Sequence, residues 1–232
     1  MTLRPLKVER LYKQIFDMLV AAIREGQFAA GEALPPERDL AKRLNVSRSS
    51  VREALIALEI AGWVDIRTGS GVFVLRADNT ESFIPSDETS VEDLLETREI
   101  LESEIARLAA KRRSAEQLAE LAALLEEMKR AVDDSTEFQK YDRRFHVVIG
   151  EMTGNTALLE LVETIWNKRA STMHRHFESH FGTDTPNDRL IIDHLDIYEA
   201  IAAGDAGEAK KAMIRHLRYV RRQFFKNEDR LS

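Results

Sequence analysis

Residues 34–75 read LPPERDLAKRLNVSRSSVREALIALEIAGWVDIRTGSGVFVL. The proline pair at 35–36 is a natural helix start, and "ERDLAKRL" continues from it. A short turn, "NVS", leads into "RSSVREALIALEIAG". There Val51, Ala54, Leu55 and Leu58 share one face, with Ser47 placed to cap the helix and Gly62 to stop it. "WVDIRTGSGVFVL" then alternates apolar and polar residues on both sides of Gly-Ser-Gly, the pattern of a β-hairpin. Helix, tight turn, helix and hairpin wing in this order predict a winged helix-turn-helix. The second helix of such a module enters the major groove, N-terminal residues towards the base edges.

Opposite the apolar stripe stand Ser47, Arg48, Ser49 and Arg52. Arginine bonds guanine bidentately and serine reaches bases or phosphates. Arg38, Lys42 and Arg43 are placed to hold the phosphate backbone, and Gly69 and Gly71 allow the wing to approach a groove closely. The blander alternative is a basic, solvated helical hairpin followed by a loop. The arginine-bearing helix followed by a wing favours DNA.

Outward from this stretch, "LYKQIFDMLVAAIREG" carries Leu11, Ile15, Leu19 and Ile23 on one stripe and ends at Gly26. Residues 76–88 are polar and aperiodic, which suits a linker. From Val91 onward the periodicity is helical, with helices expected over roughly 90–112, 115–132, 136–152, 156–180, 188–203 and 206–227. The expected fold is mainly α: a winged helix-turn-helix over 1–75, the linker, and an all-α bundle over 89–232.

Charge divides the same way. Of 34 Lys+Arg and 40 Asp+Glu in the 232-residue chain, residues 1–76 hold 12 basic and 9 acidic, so the remainder is strongly acidic. Phosphate-binding surface therefore belongs to the N-terminal part. No apolar run approaches the ~20 residues that span a membrane. The N-terminus does not read as a signal peptide, and with Cys at 0 a thiolate metal site is excluded. A protein of the reducing cytoplasm is expected.

All six histidines lie in the C-terminal part. Asp142 and His146 are spaced i, i+4, on one helix face. His194 and His216 fall on apolar stripes of their own helices, Ile191, Leu195, Tyr198, Ile201 and Met213, Leu217, Val220, Phe224. A single histidine in such a position is more often a hydrogen-bonded core residue. Three of them with a carboxylate at ligand spacing point to a divalent metal, zinc foremost, with nickel, manganese and iron open. A rival cluster, His174, His176 and His180, precedes a polar loop and ranks second, with His176 able to line the same cavity. Arg98 interrupts the stripe Val91, Leu94, Leu95, Leu101, Ile105, Leu108. A buried guanidinium needs an anionic partner, either Glu102 or a carboxylate on a neighbouring helix, or else a ligand carboxylate.

The stretch from Glu37 to Leu58 closely resembles the DNA-binding domain of GntR-type bacterial transcription regulators. Its E-R-x-L-A and V-S-R-x-x-V-R-E-A-L-x-x-L pattern is nearly unchanged, and Pro36 stands where serine is often found. The resemblance implies DNA contacts from Arg38, Ser47, Arg48, Ser49 and Arg52, with Gly69 at the wing, and a homodimer on a palindromic operator. The C-terminal part resembles the FCD effector domain of the FadR subfamily. That likeness implies a metal site of Asp142, His146, His194 and His216, with the turn Thr153-Gly154-Asn155 in the same pattern, and an effector carboxylate on Arg98. Asn155, Arg169 and His176 are assigned to the effector with it. "EALIALEIAGWVDIRTGSG", "LLETREILESEIARLAA" and "ETIWNKR" further resemble hexuronate-utilisation regulators. The expected function is a repressor released from its operator by a small organic acid, such as a sugar acid. The alternatives are another carboxylate effector, a structural or sensed metal, and, remotely, a metal-dependent enzyme.

Overall fold

The structure is a computed structural model, and it describes residues 10–75, 89–169, 171–177, 179–180 and 187–226. The linker expected over 76–88 lies outside the described residues.

The N-terminal part comprises α1 (Leu11–Arg24), α2 (Glu37–Leu44), α3 (Arg48–Ile60), β1 (Val64–Arg67) and β2 (Gly71–Val74). Ser47 caps α3 by accepting from the Ser50 N–H at 3.2 Å. Asn45, with φ of 52°, closes α2 in the left-handed region, which asparagine tolerates better than most residues. The strands pair antiparallel, Val64 opposite Val74 and Arg67 opposite Gly71, and turn through Gly69 at φ 75°. Ala33 bridges to Phe73 and backs the wing. The apolar face of α3 is buried as expected, whereas α1 turns Tyr12 and Phe16 inward and leaves Leu11 exposed. The stripe on α1 is wider than its four aliphatic residues suggested, because two aromatics reach the core from its flank.

The bundle comprises α4 (Val91–Arg112), α5 (Ala115–Arg130), α6 (Ser135–Glu151), α7 (Thr156–Arg169), α8 (Thr172–Phe177), α9 (Asn187–Ala203) and α10 (Ala206–Lys226). Short polar side chains set its helix starts. Ser90, Ser114 and Asp134 each accept from a first-turn N–H, and Asp205 accepts from Glu208 N. One expectation fails here: the single helix over 156–180 is two, α7 and α8. Ser171 lies at the break, and its hydroxyl accepts from His174 N at 3.2 Å. A serine that caps a new helix offers the backbone an alternative to continuing the old one.

Two apolar clusters hold the described chain together. One fills the bundle around Phe138, Phe145, Met128 and Met213. The other fills the N-terminal part and runs on into Val91, Leu95, Met173, Val220 and Phe224. The winged part and the near end of the bundle therefore share one core. Phe145, fully buried, packs its edge against His194 at 4.9 Å between ring centroids. Phe145→Ala should lower stability by about 3–5 kcal/mol in urea unfolding; a loss under about 1 kcal/mol would contradict this packing.

Candidate metal centre and DNA-reading face

Asp142 and His146 on α6, His194 on α9 and His216 on α10 converge inside the bundle, all four buried. One donor atom from each lies within 4.8 Å of the others. Asp142 Oδ1 is 2.9 Å from His194 Nε2 and 3.5 Å from His146 Nε2. These three buried atoms make no hydrogen bond of acceptable geometry. Buried lone pairs that face one another without sharing a proton are what a cation would satisfy.

The groups behind the ligands orient them. The His194 Nδ1–H donates to the Leu190 carbonyl at 2.7 Å, which turns Nε2 inward. Glu102 Oε2 lies 2.5 Å from His146 Nδ1, and Asp193 Oδ2 lies 3.9 Å from His216 Nδ1. At its distance Glu102 can orient the His146 ring as an outer acceptor, whereas 3.9 Å is too long for a hydrogen bond between Asp193 and His216. Burial and the neighbouring imidazoles hold His216 well below its ordinary value, so it is neutral with a lone pair available. Burial alone would raise Asp142, but contacts with His146 and His194 outweigh it and keep the carboxylate ionised. For His146, burial is outweighed by Glu102 and Asp142, which raise it above its ordinary value.

Beside the cluster, Arg98 is 2% exposed and its Nε–H donates to Glu102 Oε1 at 2.6 Å. Of the partners expected for Arg98, Glu102 is the one in place. Two guanidiniums lie over the Trp166 ring, Arg98 at 4.4 Å and Arg169 at 4.9 Å from its centroid. Arg169 also donates to Asp142 Oδ2 at 3.0 Å. Arg98 and Arg169 thus border the cluster directly. Asn155 does not: its side chain caps α7, accepting from Ala157 N and Leu158 N at 3.1 and 3.3 Å. Among the described residues the rival histidines form no such group of ligand atoms. His180 reaches Glu59 of α3 at 2.5 Å, His174 packs on Phe224, and His176 is half-buried on α8.

The expected DNA-reading residues divide into two sets. Arg38, Lys42, Arg43, Ser47 and Gly69 are exposed. Ser49 and Arg52, expected on the exposed face of α3, are 8% and 1% exposed. Arg52 donates from Nε and Nη2 to both oxygens of Glu37, at 2.8 and 3.0 Å, and from Nη1 to the Phe224 carbonyl at 2.9 Å. Arg48 Nε lies 3.3 Å from Glu37 as well. Ser49 donates to Glu92 at the start of α4. The bundle covers this part of α3, which a reading of α3 by itself cannot anticipate.

Residues 11–74 match the family model described as bacterial regulatory proteins of the gntR family, and residues 93–219 match the FCD domain. The chain belongs to the GntR family. It is 35% identical to the Uxu operon transcriptional regulator of Escherichia coli K12, over 95% of this chain and 90% of that protein. Similarity to the Uxu operon regulator of Haemophilus influenzae is 33% over 96% of this chain and 85% of that protein. Among solved structures, a GntR protein of Streptococcus agalactiae aligns at a TM-score of 0.50 and 28% identity, covering 91% of this chain and 99% of that one. It is accordingly a ligand-responsive transcription regulator, with a DNA-binding head and an effector domain whose Asp and three His could hold an ion.

Asp193 and the dual role of Glu102 were not anticipated. Asp193 falls beside, not on, the stripe expected for α9; the buried face actually carries Asp193, His194, Ile197 and Ile201. An aspartate inside the apolar run "LIIDHLDI" was the available signal. Burial would raise Glu102, but Arg98 and then His146 bring it down to about 2 from an ordinary 4.5. Its contribution to stability is therefore present above pH 4.5 and is lost as pH falls towards 2. Glu102→Ala leaves Arg98 buried without its carboxylate and should cost about 3–5 kcal/mol in urea unfolding at pH 7. A cost within about 0.5 kcal/mol would show that Arg98 has another anion to turn to.

Proposed function

We propose that this GntR regulator is a metal-containing repressor that leaves its operator when a hexuronate or a closely related sugar acid binds in the bundle. The observation that supports it most is the convergence of four buried ligands beside two arginines that border the same space. Asp142, His146, His194 and His216 would hold a divalent ion, zinc by the chemistry of an Asp-His₃ set. Such an ion supplies a Lewis-acidic position for an effector oxygen. Arg98 would bind the effector carboxylate with its planar fork, in exchange for part of its pairing with Glu102. The names of the Uxu and Exu relatives favour a hexuronate.

In the head, Arg38, Lys42 and Arg43 would hold phosphates, Ser47, Arg48, Ser49 and Arg52 would reach bases or the backbone, and Gly69 would bring the wing to a groove. The head comprises 1–75 and the effector domain 89–232, joined by 76–88. The protein would act in the bacterial cytoplasm as a homodimer, since a palindrome is read by two heads related by a two-fold axis. His176 would line the effector cavity.

Fluorescence anisotropy on a duplex selected by the protein itself tests this reading. D-Galacturonate or D-glucuronate should release the duplex. Arg98→Lys, which keeps the charge and loses the bidentate fork, should raise the concentration for half-release by about tenfold or more. Release at an unchanged concentration would overturn the role of Arg98. Indifference to both acids would overturn the hexuronate assignment.

A further inference from the structure

The part of α3 that is to read DNA is occupied by the protein's own bundle. Glu92, in the first turn of α4, receives the Ser49 hydroxyl and lies 3.0 Å from Arg221 of α10. One helical turn further along α3, Glu53 Oε1 accepts from Ser90 Oγ at 2.8 Å and from the Glu92 backbone N–H at 3.1 Å. Arg52 donates to the Phe224 carbonyl near the end of α10. Towards the other end of α3, Glu59 pairs with His180. Between these polar contacts Val91, Leu95, Met173, Val220 and Phe224 complete the apolar core that contains α3. A cleft of about 580 Å³ remains where the two parts meet, walled by Ser47 and Arg48 on one side and Arg218 and Arg222 on the other.

The major groove is about 12 Å wide and admits one helix, which with its side chains is itself about 10–12 Å across. With α4 and α10 against its N-terminal half, α3 cannot enter. The contacts imitate what they exclude. A glutamate carboxylate on Ser49 stands where a phosphate or base acceptor would stand, and a backbone carbonyl takes a donor of Arg52. We propose that this is a self-inhibited state of the regulator, in which the N-terminal turn of α4 and the C-terminal turn of α10 act as an internal competitor for the recognition helix. The inference rests on the reading of α3 as the DNA-binding helix. It adds that operator affinity is set by how often the head leaves the bundle, since apparent affinity falls with the fraction of competent molecules.

The absence of native cysteine makes the contact easy to trap. In the full chain, Glu53→Cys with Ser90→Cys places a thiol on each side of the interface, at residues given no DNA contact. A short dithiol-reactive crosslinker should join them, and the joined protein should bind its selected duplex at least about tenfold more weakly than the untreated double variant. Single-cysteine variants given the same reagent should bind as before. Glu92→Gln, which removes the competing charge, should tighten binding several-fold in the otherwise native chain, and added to the double-cysteine variant it should lower the crosslinking yield. Failure to crosslink, or a crosslinked protein that binds DNA as well as the untreated one, would overturn the self-inhibited state while leaving DNA reading intact. An untreated chain that selects no duplex would overturn the DNA reading and this inference together.

Discussion

The structure depends on a buried electrostatic compromise in the middle of the bundle. Three imidazoles, the Asp142 and Glu102 carboxylates and the Arg98 guanidinium are all removed from water within one helical core. Isolated, each charged group would be expelled or neutralised. Together they are tolerated because each faces a complement: Arg98 with Glu102, Glu102 with His146, Asp142 with Arg169 and His194. What the protein atoms do not complete is the centre, where inward-facing lone pairs meet. A helical bundle that only needed to be stable would fill this volume with aliphatic side chains.

The same helices link this centre to the winged head. α4 carries Glu92 at its start and Arg98 and Glu102 about two and three turns later, while α10 carries His216 about two turns before Phe224. At 1.5 Å per residue, Phe224 lies about 12 Å along the helix axis from the ligand histidine. A ligand that alters how α4 and α10 sit around the centre therefore acts on the residues that touch α3, without any longer relay. Coupling of this kind requires only that the ligand favour one of two arrangements of elements already in contact.

How much of this is legible in the chain depends on the range of the interaction. The capped starts and the wing turn could be read because Ser47, Gly69 and their like act over a few residues. The i, i+4 spacings of Asp142 with His146 and of Arg98 with Glu102 likewise put partners on one helix face. His194 and His216 were found because an imidazole on an apolar stripe stands out. The α7–α8 break was missed because the helical pattern runs across it and one serine hydroxyl decides the matter. Burial of Ser49 and Arg52 was beyond reach: Arg52 meets the carbonyl of Phe224, 172 positions away. Asp193 is adjacent to His194 in sequence, but the apolar stripe of Ile191, Leu195, Tyr198 and Ile201 points to a different buried face from the one it shares with His194, Ile197 and Ile201.

The proposed metal anchors the proposed effector. Isothermal titration of D-galacturonate and D-glucuronate into zinc-loaded and metal-stripped full-length protein tests it most directly. Binding of at least one acid to the loaded form, with an affinity lost by about a hundredfold or more on stripping, is the predicted result. Equal affinity in the two forms would show that the four buried ligands serve some purpose other than holding the effector.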